Sequence, residues 1–257
     1  MEQEVSHPAA ILTVPELIGR VKMFFLRKQK KRFKEYLRSI TGERSNELLA
    51  AHVLSPLTVN HPFLPFSASY RLLAHLANDI INNRRRRILE FGSGVSTVIM
   101  ARLNRMNRLG LTIISVDSNA EWIEMQKETL AKEGLEGGVS FVYAPCVAGP
   151  YDFRGHNYWF DPASLDPHLA DFLPDLVLVD APMGSMPYAR YGALPYLLDK
   201  LPECYSIFLD DTHRAEEKAI VKAWQSMIED CRVYSFPSYA HISRGASFWA
   251  VPSTVTI

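Results

Sequence analysis

Ile88-Leu89-Glu90-Phe91-Gly92-Ser93-Gly94-Val95-Ser96-Thr97 joins an apolar run, a Gly-x-Gly turn and a helix start in ten residues. That order has a chemical use. Glycines let backbone approach a ligand closely, and a helix N-terminus presents N–H groups that have no partner within the helix. Twenty-five residues after Gly92 stands Asp117, at the end of a second apolar run, where a carboxylate can accept both ribose hydroxyls of a nucleoside. The parts together describe a nucleoside site. A dinucleotide site uses the same parts, but Thr97 occupies the place of its third glycine, and Glu90 would repel a pyrophosphate while suiting a positively charged amino group. The plainer alternative is that the glycines only close a tight turn and Asp117 caps the next helix.

Two further apolar runs end in acid. Leu176-Val177-Leu178-Val179 leads to Asp180, and Ile207-Phe208-Leu209 leads to Asp210 and Asp211. Three carboxylates on neighbouring strand ends repel one another unless a cation, a hydrogen bond or a raised pKa relieves them. One relief is a hard cation such as Mg2+, which prefers oxygen ligands and can lower the pKa of a substrate hydroxyl. On that reading Asp180, Asp210 and Asp211 are both the catalytic residues and the metal ligands. The rival reading leaves Asp180 alone as a base or orienting acceptor, with Asp210 or Asp211 paired to Arg214. His213, at a helix start, is a weaker candidate base. Tyr188 and Arg190 lie on a second rim from which either can reach a substrate.

These residues need a scaffold that delivers strand ends to one place. From Arg87 onward, short β-branched or apolar runs alternate with helical segments, the pattern of a parallel sheet covered on both faces. Strands are predicted at Arg87–Phe91, Thr112–Val116, Val139–Tyr143, Leu176–Val179 and Ser206–Leu209, with a C-terminal pair near Arg232–Phe236 and Ser247–Val251. Helices are predicted near 67–82, 95–107, 119–133, 187–200 and 213–230. Asn119 and Glu121 mark one helix start. Residues 144–174 show little periodicity and read as a substrate loop or lid, in which Tyr151, Phe153, Tyr158, Trp159 and Phe160 cover the site and Arg154, His156 and Asp161 supply polar contacts. Residues 1–60 read as a basic helical extension ahead of a single domain at 61–257. Its stretch 17–38 combines Leu17, Ile18, Val21, Phe24 and Phe25 with Arg27-Lys28-Gln29-Lys30-Lys31-Arg32, a pattern that suits a solvated helix face or weak contact with an anionic membrane surface. His61–Phe66 reads as an extended connector.

Glu90-Phe91-Gly92-Ser93-Gly94 resembles the first motif of class I S-adenosylmethionine-dependent methyltransferases, and Val116-Asp117-Ser118 resembles their second. The wording Glu-Phe-Gly-Ser-Gly-x-Ser-Thr, followed by Leu-Asp-Asp-x-x-Arg at 209–214, is similar to a branch of small bacterial methyltransferases. The resemblance spans roughly residues 85 to 251. It implies an α/β fold with a doubly wound, mostly parallel, seven-stranded Rossmann-like sheet, helices on both faces and an antiparallel C-terminal strand. It also implies that S-adenosylmethionine is bound by Glu90 at its methionine end, by Gly92, Ser93, Gly94, Ser96 and Thr97 around the turn, and by Asp117 and Ser118 at the ribose. Ala144 and Pro145 would line the adenine pocket, with Trp122 over the ring. Asp180 with Asp210-Asp211 is partly similar to metal-dependent catechol-type O-methyltransferases, though Asp211 stands where that subgroup has Asn.

Composition narrows the partners. Hydrophobic residues make up 47% of the chain, enough for a large core, and 28 basic against 28 acidic residues leave no net charge to attract nucleic acid. Cys146, Cys204 and Cys231 fit neither a disulfide framework nor a zinc pattern, and the acidic start and lack of a long apolar run fit a cytoplasmic protein. The expected function is methyl transfer to a small-molecule acceptor, on oxygen. A non-catalytic nucleoside-binding scaffold, aminopropyl transfer and a nicotinamide-dependent oxidoreductase are the alternatives.

Overall fold

Leu176–Val179 is apolar at every position and buried at every position, as a strand covered on both faces must be. The computed structural model describes residues 44–58 and 67–246. Its strands are β1 (Arg87–Phe91), β2 (Thr112–Asp117), β3 (Val139–Tyr143), β4 (Cys146–Phe153), β5 (His156–Phe160), β6 (Leu176–Val179), β7 (Tyr205–Asp210), β8 (Arg232–Ser235) and β9 (Tyr239–Arg244). Seven of them form one sheet in the order β3-β2-β1-β6-β7-β9-β8, while β4 and β5 form a separate hairpin. β3, β2, β1, β6 and β7 run parallel, and β9 is antiparallel to both of its neighbours. The helices are α1 (44–58), α2 (Tyr70–Asn82), α3 (Val95–Asn107), α4 (Ala120–Glu133), α5 (Pro162–Leu169), α6 (Ala193–Leu197) and α7 (Ala215–Gln225), with a 3-10 turn at Ala189–Gly192.

The strand order reverses between β1 and β6. In an open α/β sheet the crevice for a ligand lies outside the carboxyl ends of the strands at such a reversal. Gly92 follows β1 and Asp180 follows β6, so the topology alone places the glycine turn beside the first acidic strand end.

Side chains alternate across each strand. Leu89, Phe91, Val177, Val179 and Leu209 face the layer that holds Trp159, Phe160, Leu194 and Trp224. Ile88, Leu176, Leu178 and Phe208 face the layer built from α1, α2 and α3. The chain divides into Met1–Asn46 and Glu47–Ile257. The second unit therefore starts ahead of residue 61, because Ala50, Leu54 and Leu57 of α1 are buried in the same core as Leu72, Leu73 and Leu76 of α2. Ser69 caps α2 by accepting the Leu72 N–H at 3.2 Å, and Asn119 caps α4 by accepting that of Trp122 at 3.0 Å.

Four expectations change. Residues 144–174 are not an irregular loop. They form the β4–β5 hairpin and α5, and their alternation is obscured in sequence by Gly149-Pro150 and by a register shift between Ala148 and Phe153. Trp159 and Phe160 do not cover the site; both are buried, packing on Phe91 with ring centres at 5.0 and 5.6 Å. The helix expected at 187–200 is broken into the 3-10 turn and α6, where Gly192 accommodates the Trp159 indole: a Cβ there would lie 2.5 Å from the ring. Finally, a strand not predicted from sequence, β9, carries His241 and Ser243 into the sheet interior. His241 stacks on Phe208 at 4.4 Å and shares a hydrogen bond with Ser206 Oγ at 3.0 Å. Ser247–Val251, the connector 61–66 and the basic stretch 17–38 lie outside the described residues. Among the described residues, no helix is long and apolar enough to cross a membrane.

Candidate active site

At Gly92 the glycine is demanded by the fold. Its φ is +101°, and a Cβ there would lie 2.9 Å from Ala181 Cβ and 3.1 Å from Ala181 N. Asp180 N–H and Ala181 N–H both donate to Phe91 O, at 2.8 and 2.9 Å, so the turn after β1 and the end of β6 are one joined structure. Gly94 differs. A Cβ built there meets no atom of the described residues within 4 Å, so among them no packing calls for a glycine, and the space above the start of α3 is open.

Glu90 shares the pleat parity of Ile88, and so points beneath α3 rather than toward the open side of the turn. It is fully buried. Its carboxylate accepts Ser96 Oγ–H at 2.5 Å, Ser115 Oγ–H at 2.6 Å and the hydroxyl of Thr97. Thr97 Oγ1 in turn accepts the Gly94 N–H at 3.0 Å. Glu90, Ser96 and Thr97 therefore brace the turn from below. Their side chains are committed inside the protein, and each of the three residues is at most 3% exposed. Ser115 was not anticipated; the signal was a single hydroxyl in the apolar run Ile113–Val116.

Burial pushes the Glu90 carboxyl up to about 7, with Asp117 adding to the rise and the three hydroxyls opposing it. The folded state thus holds this proton more tightly than the unfolded chain does. Its contribution is fully present below the unfolded value of 4.5 and is lost as pH rises to about 7. At higher pH the buried charge costs about 3 kcal/mol on the scale of 1.36 kcal/mol per unit. Glu90→Gln removes the slope, and the variant should gain up to about 3 kcal/mol relative to wild type between about pH 4 and pH 8 in urea unfolding. His75 and His241, held neutral by burial at about 2 and about 4, contribute the opposite slope to both proteins and cancel in the difference. Parallel pH profiles would show that Glu90 is ionised in the fold.

Asp117 sits at the mouth of the turn. Its Oδ2 accepts Ser93 N–H and Ser93 Oγ–H, both at 3.0 Å, and its Oδ1 accepts Asn119 N–H at 2.9 Å. An ionised carboxylate offers about four lone-pair directions, so Oδ1 retains capacity for one more donor. Ser118 is exposed beside it. Trp122 is half-buried, and its indole N–H donates to Ser93 O at 2.7 Å, which fixes the ring next to the turn. Ala144 is fully buried, with its N–H on Asp117 O at 3.0 Å, so its side chain contributes packing. Pro145 is partly exposed, and its carbonyl accepts the Asp161 N–H at 2.8 Å.

The acidic strand ends do converge, and the cation among them is Arg190. Its side chain is 4% exposed. Nε donates to Pro182 O at 3.2 Å, Nη1 to Asp210 O at 3.1 Å, and Nη2 to Asp180 O at 2.5 Å. The same Nη2 lies 3.2 Å from Asp180 Oδ1 and 3.1 Å from Asp211 Oδ2. Arg214 completes the neutralisation, with Nη2 3.0 Å from Asp211 Oδ2. Asp210 is buried and turns back to accept the Asp211 N–H at 2.8 Å. The metal arrangement expected of Asp180, Asp210 and Asp211 is not present. Among the described residues no group of three or more His, Cys, Asp or Glu side chains is placed to hold a metal ion. The physical reason is that two guanidinium groups already occupy the space between the carboxylates. Arg190 was expected on the rim; a lone charge inside the run Ala189–Leu194 was the sign that it is buried.

Asp180 keeps one oxygen, Oδ2, outside these pairings, and its side chain is 23% exposed. Burial raises its carboxyl well above the ordinary range, Asp210 raises it further, and Arg190 partly offsets both. Burial likewise pushes Asp210 up to about 6. His213 is 59% exposed, with Nδ1 3.9 Å from Asp211 Oδ1, on the outside of the cluster.

No protein-family model matches the chain, and no curated protein matches it by sequence. Solved structures do match. A Klebsiella pneumoniae protein assigned as an O-methyltransferase aligns with a TM-score of 0.52 at 15% identity, over 79% of this chain and 99% of that one. A Staphylococcus aureus protein assigned as a caffeoyl-CoA O-methyltransferase aligns at 0.50 and 16% identity, over 84% and 100%. Cofactor-bound Rv0187 from MTB aligns at 0.50 and 18% identity, over 76% and 89%. With the strand order and glycine turn described above, these matches show that the chain has the Rossmann-like α/β fold of class I S-adenosylmethionine-dependent methyltransferases.

Proposed function

We propose that this chain transfers a methyl group from S-adenosylmethionine to an oxygen of a small-molecule acceptor, with Asp180 as the proton acceptor. The observation that carries the reading is the junction of β1 and β6. There the space over Gly94 and the Oδ2 of Asp180, both open among the described residues, and the spare lone pair of Asp117 lie at the reversal of the sheet. The residues fit the cofactor: an uncrowded helix start suits its carboxylate, and Asp117 suits a ribose hydroxyl. Glu90 supports the turn in this reading and does not touch the methionine end.

When bound, S-adenosylmethionine supplies an electrophilic methyl group on a sulfonium. The chain's part is alignment and proton removal. Asp180, raised in pKa yet held beside Arg190, can take the acceptor's hydroxyl proton as the new C–O bond forms. Arg190 keeps that carboxylate aimed and available in its charged form. No step is routed through Mg2+, because the guanidinium groups fill the place it would take. The buried hydrogen bonds of Thr97, where a dinucleotide fold has glycine, count against a nicotinamide cofactor. Three unpaired cysteines agree with a reducing cytoplasm.

Calorimetric titration of S-adenosylhomocysteine tests the cofactor half. Wild type should bind, and Asp117→Ala should bind about 10-fold or more weakly, on the order of 1.4 kcal/mol. A variant that binds as tightly as wild type would move the ribose elsewhere, and no binding to wild type would end the reading.

A further inference from the structure

The β4–β5 hairpin turns through Arg154 and Gly155, whose φ values are +58° and +82°. Both central residues of such a two-residue turn need positive φ, and asparagine or glycine meets that need most easily at the first. Arginine is an unfavourable choice for the turn itself. Tyr188, which faces it, also has a positive φ, +57°. Left-handed non-glycine residues gather where a ligand clamp over-determines the backbone.

The Arg154 side chain is exposed but held. Its guanidinium carbon lies 5.2 Å from the centre of the Phe153 ring and 5.5 Å from that of Tyr188, and Nη1 donates to Tyr188 Oη at 3.3 Å. No carboxylate among the described residues pairs with it. The hairpin tip is itself anchored, because Phe153 stacks on Tyr191 at 4.5 Å with ring planes 13° apart. Tyr188 and Tyr191 bracket Arg190, the residue that holds Asp180. Met183, 72% exposed, adds apolar surface on the same β6–α6 connection. A cation fixed between two rings, with no counter-ion among the described residues and set against the connection that carries Arg190, is an oriented anion receptor.

We propose that Arg154 binds an anionic group of the acceptor, a carboxylate or a phosphate, while the acceptor's apolar body lies along Tyr188 and Met183. This specificity role rests on the reading of the β1–β6 crevice as the methyl-transfer site. It defines the substrate class as an amphipathic hydroxy compound carrying one anionic group.

The test is calorimetric titration of 4-hydroxycinnamate and its uncharged methyl ester into the full chain, with and without S-adenosylhomocysteine. Wild type should bind the acid about 10-fold or more tightly than the ester. Arg154→Asn suits the left-handed turn while deleting the charge; it should bring the acid down to the ester's affinity and leave that for S-adenosylhomocysteine unchanged. Arg154→Lys should keep part of the preference. A second series with phenyl phosphate identifies the anion, since the group the site is built for loses more affinity in Arg154→Asn. Equal binding of acid and ester, no saturable binding of the acid, or a preference that survives Arg154→Asn overturns the proposal. Failure of the methyl-transfer reading is distinguishable: S-adenosylhomocysteine then does not bind, whereas the acid–ester comparison without it still reports on Arg154.

Discussion

Arg190→Met should lower the unfolding free energy by roughly 3 to 5 kcal/mol, the range seen when one partner of a buried ion pair is removed. Arg190 supplies hydrogen bonds to the carbonyls of Asp180, Pro182 and Asp210 and charge to Asp180 and Asp211. Methionine fills much of the volume but none of these needs, so three buried acceptors and two carboxylates lose their partner at once. The loss should depend on pH, with a definite sign. The Asp180 carboxyl is already raised in the fold, so its contribution is present below the unfolded value and is lost as pH rises through the folded one. Without Arg190 the folded value rises further, and the variant should be more impaired at about pH 8 than at about pH 5. Urea unfolding at the two pH values measures both effects. A loss under about 1 kcal/mol, equal at both, would mean that the carboxylates are neutralised by something else.

The second large effect is on rate. Asp180→Asn keeps the size of the side chain and an acceptor for Arg190, but it cannot take a proton. If Asp180 is the base, turnover should fall by about 10²- to 10⁴-fold while the affinity for S-adenosylhomocysteine stays within about twofold of wild type. In wild type, kcat/KM should rise with pH through a value above the ordinary carboxylate range, following the raised Asp180 carboxyl. The variant should lose that limb. The readout is S-adenosylhomocysteine release against pH with any acceptor that the wild type turns over. A variant retaining more than about half of wild-type turnover would assign the proton to another group or to an acceptor already ionised. Asp210→Asn separates the two carboxylates: Asp210 is buried and turned onto the Asp211 N–H, so its variant should keep turnover, with the rising limb moved to lower pH because Asp210 no longer raises the Asp180 carboxyl.

What could be read from the sequence was whatever depends on local pattern. Apolar runs long enough for a strand, the glycine turn between β1 and α3, the Asn119 cap and the alternation of strand with helix were all legible, because each is set by residues within a few positions of one another. Asp117 and Asp180 were legible for the same reason, since each ends an apolar strand. The β4–β5 hairpin was hidden by a register shift, and β9 by His241 and Ser243, whose burial is tolerable only because Ser206 and Phe208 of β7 lie opposite.

The sequence by itself thus determined which strand ends bear carboxylates and where the glycine turn lies. Only the tertiary structure decided what those groups pair with. Pleat parity turned Glu90 under α3, and the packing of the 3-10 turn brought Arg190 between Asp180 and Asp211. The reason is one of range. Hydrophobic periodicity is a local property, whereas the partner that satisfies a buried charge is chosen by contacts between segments far apart in the chain.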